Sequence, residues 1–233
     1  MSAPETKTVA FVAYPGLTAL DLIGPLQVFS ALPLFTPEFQ PVVVAETLQP
    51  VETDTPVKLL PDKTFDDVPT PYGVLVPGGT APTMRAMAHQ PLLAYIQTAA
   101  QTAEFVASVC TGAMILAAAG LLQGREATTH WAFEQQLNRL GAHYRPQRWV
   151  QDGKFIMSAG ISAGIDLALH LVARLTSDEV AKQIQLILEY DPQPPLGSIN
   201  WDQVDRTSLT PVVDQWLIEG LRDHPQLLAQ LRS

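Results

Sequence analysis

Basic residues are scarce in this chain: 14 Lys and Arg stand against 23 Asp and Glu, for a formal net charge of -9. Nucleic-acid binding rests on neutralising phosphates with Lys and Arg, and no basic cluster offsets the acidic balance, so no nucleic-acid partner is expected. Cysteine is scarcer still. The single thiol, Cys110, excludes an internal disulfide framework and a cysteine-based metal site, and it fits a reducing cytosol. Long apolar runs are missing too: the longest, 113–122, is interrupted by Gly120 and falls short of the roughly 20 residues a bilayer span takes. Residues 1–7 carry no basic stretch followed by an apolar one, so no signal peptide is expected. There is no internal repeat, no phosphate-cradling G-x-x-x-x-G-K-S/T loop and no cofactor motif. These absences lead to the expectation of a soluble, cytoplasmic protein without membrane contact, metal or cofactor.

Core-forming residues, by contrast, are plentiful. A hydrophobic fraction of 47% and a charged fraction of 16% over 233 residues support one compact domain with a sizeable core. Short apolar segments at 8–14, 40–45, 73–77 and 105–109 read as buried strands, with 57–60 as a short edge strand. Helices are expected through Leu26, Val28 and Phe29, over 91–102, over 111–119, and through Phe133, Leu137 and Leu140 up to Gly141. Asp152-Gly153 is a two-residue hairpin signal. The segment 158–164 opens a long apolar helix to Leu175, and Thr176-Ser177-Asp178-Glu179 caps another over 180–188. The proline-rich stretch 191–197 cannot be regular helix or central strand. Beyond it, 211–221 and 225–231 read as helices too short and too acidic for a helix-turn-helix reader. Strands alternating with helices imply an α/β fold, a doubly wound, mostly parallel sheet with helices on both faces. Residues 1–190 are assigned to that domain. Residues 191–233 are assigned to a linker and helices packing on the same domain or on a dimer partner.

The chain is organised around 105–116, where a short apolar strand runs into a small-residue helix with Cys110 at the junction. That is the layout of a nucleophile elbow. The following helix aims free N–H groups and its positive end at the sulfur, which favours the reactive thiolate. A free cysteine elsewhere would be an inert buried hydrophobe. Asp21 sits among leucines just after the first strand, either as a helix cap or as a buried carboxyl with a raised pKa able to move protons. Gly78-Gly79 ends another strand, either as an ordinary turn or as backbone that approaches a ligand and aims N–H groups at it. In a doubly wound sheet all three features fall on one edge, at the strand carboxyl ends. They make the set that nucleophilic catalysis requires: a thiol, N–H donors (the Thr111 amide, with Gly79 as partner) and a proton carrier. Asp166 and His170 lie four apart on a helix, but two ligands are too few for a metal site.

Five motifs, Leu20-Asp21-Leu22-Ile23-Gly24-Pro25, Val76-Pro77-Gly78-Gly79, Ser108-Val109-Cys110-Thr111-Gly112, Ala127-Thr128-Thr129-His130-Trp131 and Ala163-Gly164-Ile165-Asp166, together resemble the ThiJ/PfpI superfamily, relatives of class I glutamine amidotransferases. The resemblance runs from Thr8 to about Pro195 and is strongest to the isocyanide-hydrating branch. It implies a flavodoxin-like homodimer with Cys110 as nucleophile, Asp21 as acid/base carboxylate, and Gly78, Gly79 and Thr111 lining the substrate's developing charge. Thr111 stands where protease-like members have histidine, which argues against peptidase activity. His130 is a conceivable substitute base, or else a cap-and-pack residue beside Trp131. The implied activity is cofactor-independent hydration of an isocyanide or other small electrophile. Two alternatives accompany it. One is glyoxalase- or amidase-like work on a small carbonyl compound. The other is a sensor of small molecules or oxidation, because AraC-type regulators share these motifs.

Overall fold

In the central strands the in–out alternation of a half-exposed sheet is absent: all four residues of Gly73–Val76, Phe105–Ser108 and Phe155–Ser158 are buried. Such runs arise when helices cover both faces of a parallel sheet. The computed structural model describes residues 6–232. Residues 1–5, on which most of the leader-segment expectation falls, and residue 233 lie outside the described residues.

In chain order the first half contains β1 (Lys7–Val12), α1 (Ala19–Ala31), β2 (Phe39–Ala45), β3 (Val51–Glu52), β4 (Lys58–Leu59), β5 (Lys63–Thr64), β6 (Gly73–Val76), α2 (Ala81–Ala86), α3 (Gln90–Thr102) and β7 (Phe105–Ser108). After the elbow come α4 (Gly112–Ala118), β8 (Glu126–Ala127), α5 (Glu134–Arg139), β9 (His143–Tyr144), β10 (Trp149–Asp152), β11 (Phe155–Ser158), α6 (Ala163–Leu175), α7 (Asp178–Ile187), α8 (Thr210–Leu221) and α9 (Pro225–Arg232). Seven strands form one sheet in the order β10-β11-β7-β6-β1-β2-β5, parallel except for β10. Helices α1, α6 and α7 pack together, and α2, α3, α4, α5, α8 and α9 make a second packed group. This is the expected doubly wound α/β architecture.

Chain order reverses beside β1: β2 lies on one side of it and β6 on the other. Open α/β sheets bind ligands at such a switch point, outside the strand carboxyl ends. The loop from β1 into α1 and the loop after β6 therefore face each other, and the β7–α4 junction adjoins them.

Several boundaries differ from the sequence reading for local reasons. The hairpin pairs Asp152 with Phe155, so the turn residues are Gly153 and Lys154, and the left-handed φ of +62 falls on Gly153. The helix expected through Phe133 begins as a 3-10 turn, Trp131–Phe133, and only Glu134–Arg139 is α-helical. Helix α2 was not anticipated, because Pro82 sits near its start in a stretch with no apolar stripe. At the far end, α8 buries Val213, Leu217 and Leu221 and packs against α2 of the same chain. No helix among the described residues is long and apolar enough to cross a membrane.

Candidate active site

Only Val109, Cys110 and Thr111 separate the end of β7 from the start of α4, so the chain must turn sharply. Cys110 absorbs the turn with a φ of +55, one of two left-handed non-glycine residues among the described ones. A non-glycine residue held there costs on the order of 1–3 kcal/mol and persists only where its surroundings over-determine it. Here they do. The Cys110 N–H donates to the Ala159 carbonyl at 2.8 Å, and the Cys110 carbonyl accepts the buried Thr129 hydroxyl at 3.0 Å. Gly112 then lets α4 approach β6: a Cβ at that position would lie 2.2 Å from the Val76 carbonyl oxygen.

Asp21 is fully buried on α1. The cap reading of this residue is corrected by the structure. The N-cap position belongs to Thr18, and the first helical N–H, of Ala19, donates at 2.9 Å to Asp54 Oδ1 from a loop 35 residues away. Asp21 instead turns across the switch point, where Oδ2 accepts the Gly78 N–H at 3.0 Å. Its Oδ1 is buried without a hydrogen-bond partner. Burial pushes the carboxyl up to about 7, with help from the Asp54 charge, while the Gly78 N–H and the Cys110 thiol pull it down.

The thiol, 5% exposed, meets opposing influences. Burial and then the Asp21 carboxyl push its pKa well above the usual range, and the Thr111 amide and hydroxyl pull it down. Desolvation and an acidic neighbour thus oppose the thiolate that the helix end favours. Thiol and carboxyl interact, but no S–H···O bond of good geometry closes in this state.

The glycine pair is also used differently from expectation. The Gly78 N–H serves Asp21, and the Gly79 N–H donates at 2.8 Å to Thr111 Oγ1. Buried amides must find acceptors, and these two find them on the site residues, so Gly79 is not a free donor for a substrate anion in this state. The Thr111 amide, expected as the other donor, bears on the Cys110 sulfur. Close packing explains why glycine stands at position 78: a Cβ there would lie 2.5 Å from the Thr111 nitrogen.

His130 is engaged at the start of its own 3-10 turn. Its Nδ1 accepts the Ala132 N–H at 3.3 Å, its ring lies tilted at 5.7 Å from Trp131, and burial lowers its pKa. No hydrogen bond joins it to Cys110 or Asp21 among the described residues. Asp166 accepts Arg148 Nε at 2.7 Å and the Tyr190 hydroxyl at 3.1 Å, and His170 meets Gln151. No group of three or more His, Cys, Asp or Glu is arranged to hold a metal among the described residues. Two open cavities lie away from the thiol. One, of about 340 Å³, sits between α5 and the α8–α9 pair, and the other, of about 480 Å³, lies beside α3 and α4. Neither cavity is lined by Cys110 or Asp21. Asp54, Thr83, Tyr14 and Thr129 complete the site, and sequence reasoning gave none of them a role there.

The DJ-1/PfpI family model matches residues 7–174. An isonitrile hydratase of Pseudomonas putida is 41% identical over 207 residues, covering 89% of this chain and 87% of that protein. A solved structure of a ThiJ/PfpI family protein from Pseudomonas syringae superimposes with a TM-score of 0.80 at 33% identity, covering 97% of this chain and 90% of that one. The HTH-type transcriptional regulator CdhR of Pseudomonas aeruginosa is 41% identical over 78 residues, which is 32% of this chain and 23% of the regulator.

Proposed function

The chain belongs to the DJ-1/PfpI family, and on that premise we propose that it is a cofactor-independent isocyanide hydratase. The observation that carries the reading is the buried acid–thiol pair: an Asp21 carboxyl with a pKa near 7 in contact with the lone, elbow-mounted thiol. Likeness to the isonitrile hydratase across most of both chains supports the same substrate class. A carboxyl poised near neutrality suits a reaction in which one group both takes and returns protons.

The steps balance with the thiol, the acid and water. Asp21 takes the Cys110 proton as sulfur bonds to the terminal carbon of R–N≡C. The same proton passes to that carbon, leaving the thioimidate R–N=CH–S–Cys110. Water adds to the carbon, and Asp21 takes one of its protons and passes that same proton to nitrogen, leaving R–NH–CH(OH)–S–Cys110 and an Asp21 carboxylate. The C–S bond then breaks as the carbonyl forms, releasing R–NH–CHO, and sulfur regains a proton from the hydroxyl through Asp21. Nothing is oxidised or reduced.

An enclosed site with few free donors suits a small, uncharged substrate. Leu20 and Ile23, exposed on the helix that carries Asp21, support assembly as a homodimer, and the single cysteine fits a cytoplasmic location. The test is turnover of para-nitrophenyl isocyanide to its formamide, followed by mass. Wild-type turnover that is abolished in Cys110→Ala, with the fold intact by circular dichroism, is expected. No detectable turnover by the wild type would end the reading. Methylglyoxal consumption in its place would assign the same thiol to carbonyl chemistry.

A further inference from the structure

Between β1 and α1 the chain crosses from the sheet to the helix that carries Asp21, and each backbone N–H of that crossover from Gly16 to Ala19 has a fixed acceptor. The Leu17 N–H donates to the Tyr14 carbonyl at 3.3 Å, and the Thr18 N–H donates to the Gly78 carbonyl at 2.8 Å. The other two are held from outside by the hairpin of β3 and β4. The Gly16 N–H donates at 2.8 Å to the Glu52 carbonyl, and the Ala19 N–H donates at 2.9 Å to Asp54 Oδ1. In return the Asp54 N–H donates at 3.0 Å to the Leu17 carbonyl. Leu17, fully buried, thus bridges to Thr53 on one side and to Gly79 on the other.

Asp54 is exposed, yet its place is fixed by the turn around it. The Thr53 hydroxyl donates to the Val57 carbonyl at 2.7 Å and accepts the Thr55 N–H at 3.2 Å, and Thr55 Oγ1 accepts the Val57 N–H at 3.2 Å. This braced tip presents the carboxylate to the first turn of α1. Two positions beyond Ala19, in that same turn, stands Asp21, whose Oδ2 accepts the Gly78 N–H at 3.0 Å. The Gly78 carbonyl in turn receives the Thr18 N–H, so the hairpin, the crossover and the glycine loop form one hydrogen-bonded unit. A cap drawn from the residue next in sequence would anchor the helix only to itself. A carboxylate drawn from 35 residues away anchors α1 to a second element. We propose that Asp54 is a positioning residue for the reaction: by holding the Ala19 N–H it fixes the first turn of α1 so that the Asp21 carboxyl stays in register with the Gly78 amide.

The titratable groups facing Asp21 are Cys110 from the elbow, Tyr14 from the end of β1 and Asp54 from the hairpin. Helices α6 and α7 pack on α1 and carry Asp166, His170, Arg174, Asp178, Glu179 and Lys182. The one charge acting on the Asp21 carboxyl is that of Asp54, which opposes its ionisation. Asp54→Asn therefore separates the two properties of the residue, keeping an oxygen for the Ala19 N–H while removing the charge.

The inference rests on the reading of Asp21 as the proton carrier but not on the identity of the substrate, so its test uses no isocyanide. The Asp21 carboxyl would be titrated by carbon NMR of the full chain, assigned with Asp21→Asn, and the Gly78 amide proton followed over the same pH range. That proton reports the charge of Asp21 only while the two remain in contact. In wild type it is expected to respond through a midpoint of about 7. In Asp54→Asn the midpoint is expected to fall by roughly half a unit, for loss of a solvated charge nearby, with the Gly78 response at full amplitude. In Asp54→Ala that amplitude is expected to fall to about half or less, because the turn is released. Thermal unfolding midpoints check the folding of each variant. Folded Asp54→Ala with the full wild-type amplitude would overturn the proposal and leave Asp54 a helix cap. An Asp54→Asn amplitude as small as that of Asp54→Ala would overturn it too. So would an unmoved midpoint in Asp54→Asn, which would place the carboxylate too far from Asp21 to position it, and this arm decides even where Asp54→Ala does not fold. The expected responses in a protein that turns over no isocyanide would keep the role of Asp54 and remove only the substrate assignment.

Discussion

The Asp21 carboxyl takes its hydrogen bond from the Gly78 amide, 57 positions away in sequence, at 3.0 Å. That contact spans the switch point of the sheet, joining the first turn of α1 to the loop after β6. It holds a fully buried carboxyl in front of the thiol, with one oxygen committed and the other open. One hydrogen bond does not repay the removal of a carboxylate from water, and the raised pKa follows. The position of Asp21 is thus one of stored cost, of the kind that accumulates at sites of proton transfer.

That cost has a measurable pH signature. The Asp21 pKa is about 7 in the folded chain against 3.8 for an ordinary aspartate. Between those values the folded protein keeps a proton that the unfolded chain has released. Stability from this group is therefore full below the unfolded pKa and falls as pH rises towards 7. In Asp21→Asn, whose amide oxygen can still accept the Gly78 N–H, this dependence is absent. Urea unfolding at pH 5 and pH 8 is expected to show the variant gaining on wild type by about 2–3 kcal/mol over that interval. An equal pH response in both proteins would mean that Asp21 is charged at little cost.

Much of this site was legible in the residues. Apolar strands at 8–14 and 73–77, the second ended by Gly78-Gly79, and a thiol between a strand and a small-residue helix, suffice to put Asp21, the glycine pair and Cys110 on one edge of a sheet. What they do once there was not legible. Asp54, not Asp21, serves the first N–H of α1, and it does so from a separate loop that no local pattern announces. The Gly78 and Gly79 amides could equally have faced a ligand, and only the packed positions of Asp21 and Thr111 determine that they do not. Thr129 lies in a motif read for its neighbour His130, yet its hydroxyl is the group that reaches the elbow.

Those two adjacent residues are therefore expected to separate cleanly on substitution. Thr129→Val keeps the side-chain shape but leaves the buried Cys110 carbonyl without its side-chain donor, at a cost of about 1–3 kcal/mol, and it loosens the left-handed elbow. Activity is expected to fall along with stability. His130→Ala removes the acceptor for the Ala132 N–H, worth about 1 kcal/mol, and leaves turnover within a few-fold of wild type. His130→Asn, able to cap in its place, should recover the stability. A drop of a hundred-fold or more in His130→Asn would make the imidazole a participant in the chemistry.

Close approach at Gly112 sets a stricter limit. A Cβ there meets the Val76 carbonyl oxygen at 2.2 Å and the Pro77 carbonyl oxygen at 2.9 Å. Both obstacles are backbone, so no side-chain rotation relieves the clash. Gly112→Ala is expected to lose at least about 3 kcal/mol or to accumulate as insoluble protein. Gly153→Ala, at a hairpin turn with open space around it, is the control for a simple loss of left-handed freedom and should cost only about 1 kcal/mol. Equal effects at the two positions would show that conformational freedom, and not contact with β6, is what Gly112 supplies.

The proton logic of the pair also dictates the pH–rate profile. Asp21 must begin as carboxylate to receive the thiol proton, and Cys110 must begin protonated because that proton ends on the substrate carbon. The productive form is thus the singly protonated pair. Below the Asp21 pKa of about 7 the pair holds a second proton and the base is blocked. Above the raised thiol pKa the proton that the carbon needs is gone. The ratio kcat/KM is expected to rise with pH through an apparent value near 7, run level, and fall only well into the alkaline range, the two limbs belonging to the coupled pair. Asp21→Asn should lose the acidic limb along with about 10²–10⁴-fold of the rate, whereas Asp21→Glu should keep a limb displaced in pH. A profile flat through neutrality in an active wild-type enzyme would mean that the proton travels by another route and that Asp21 serves only to hold Gly78.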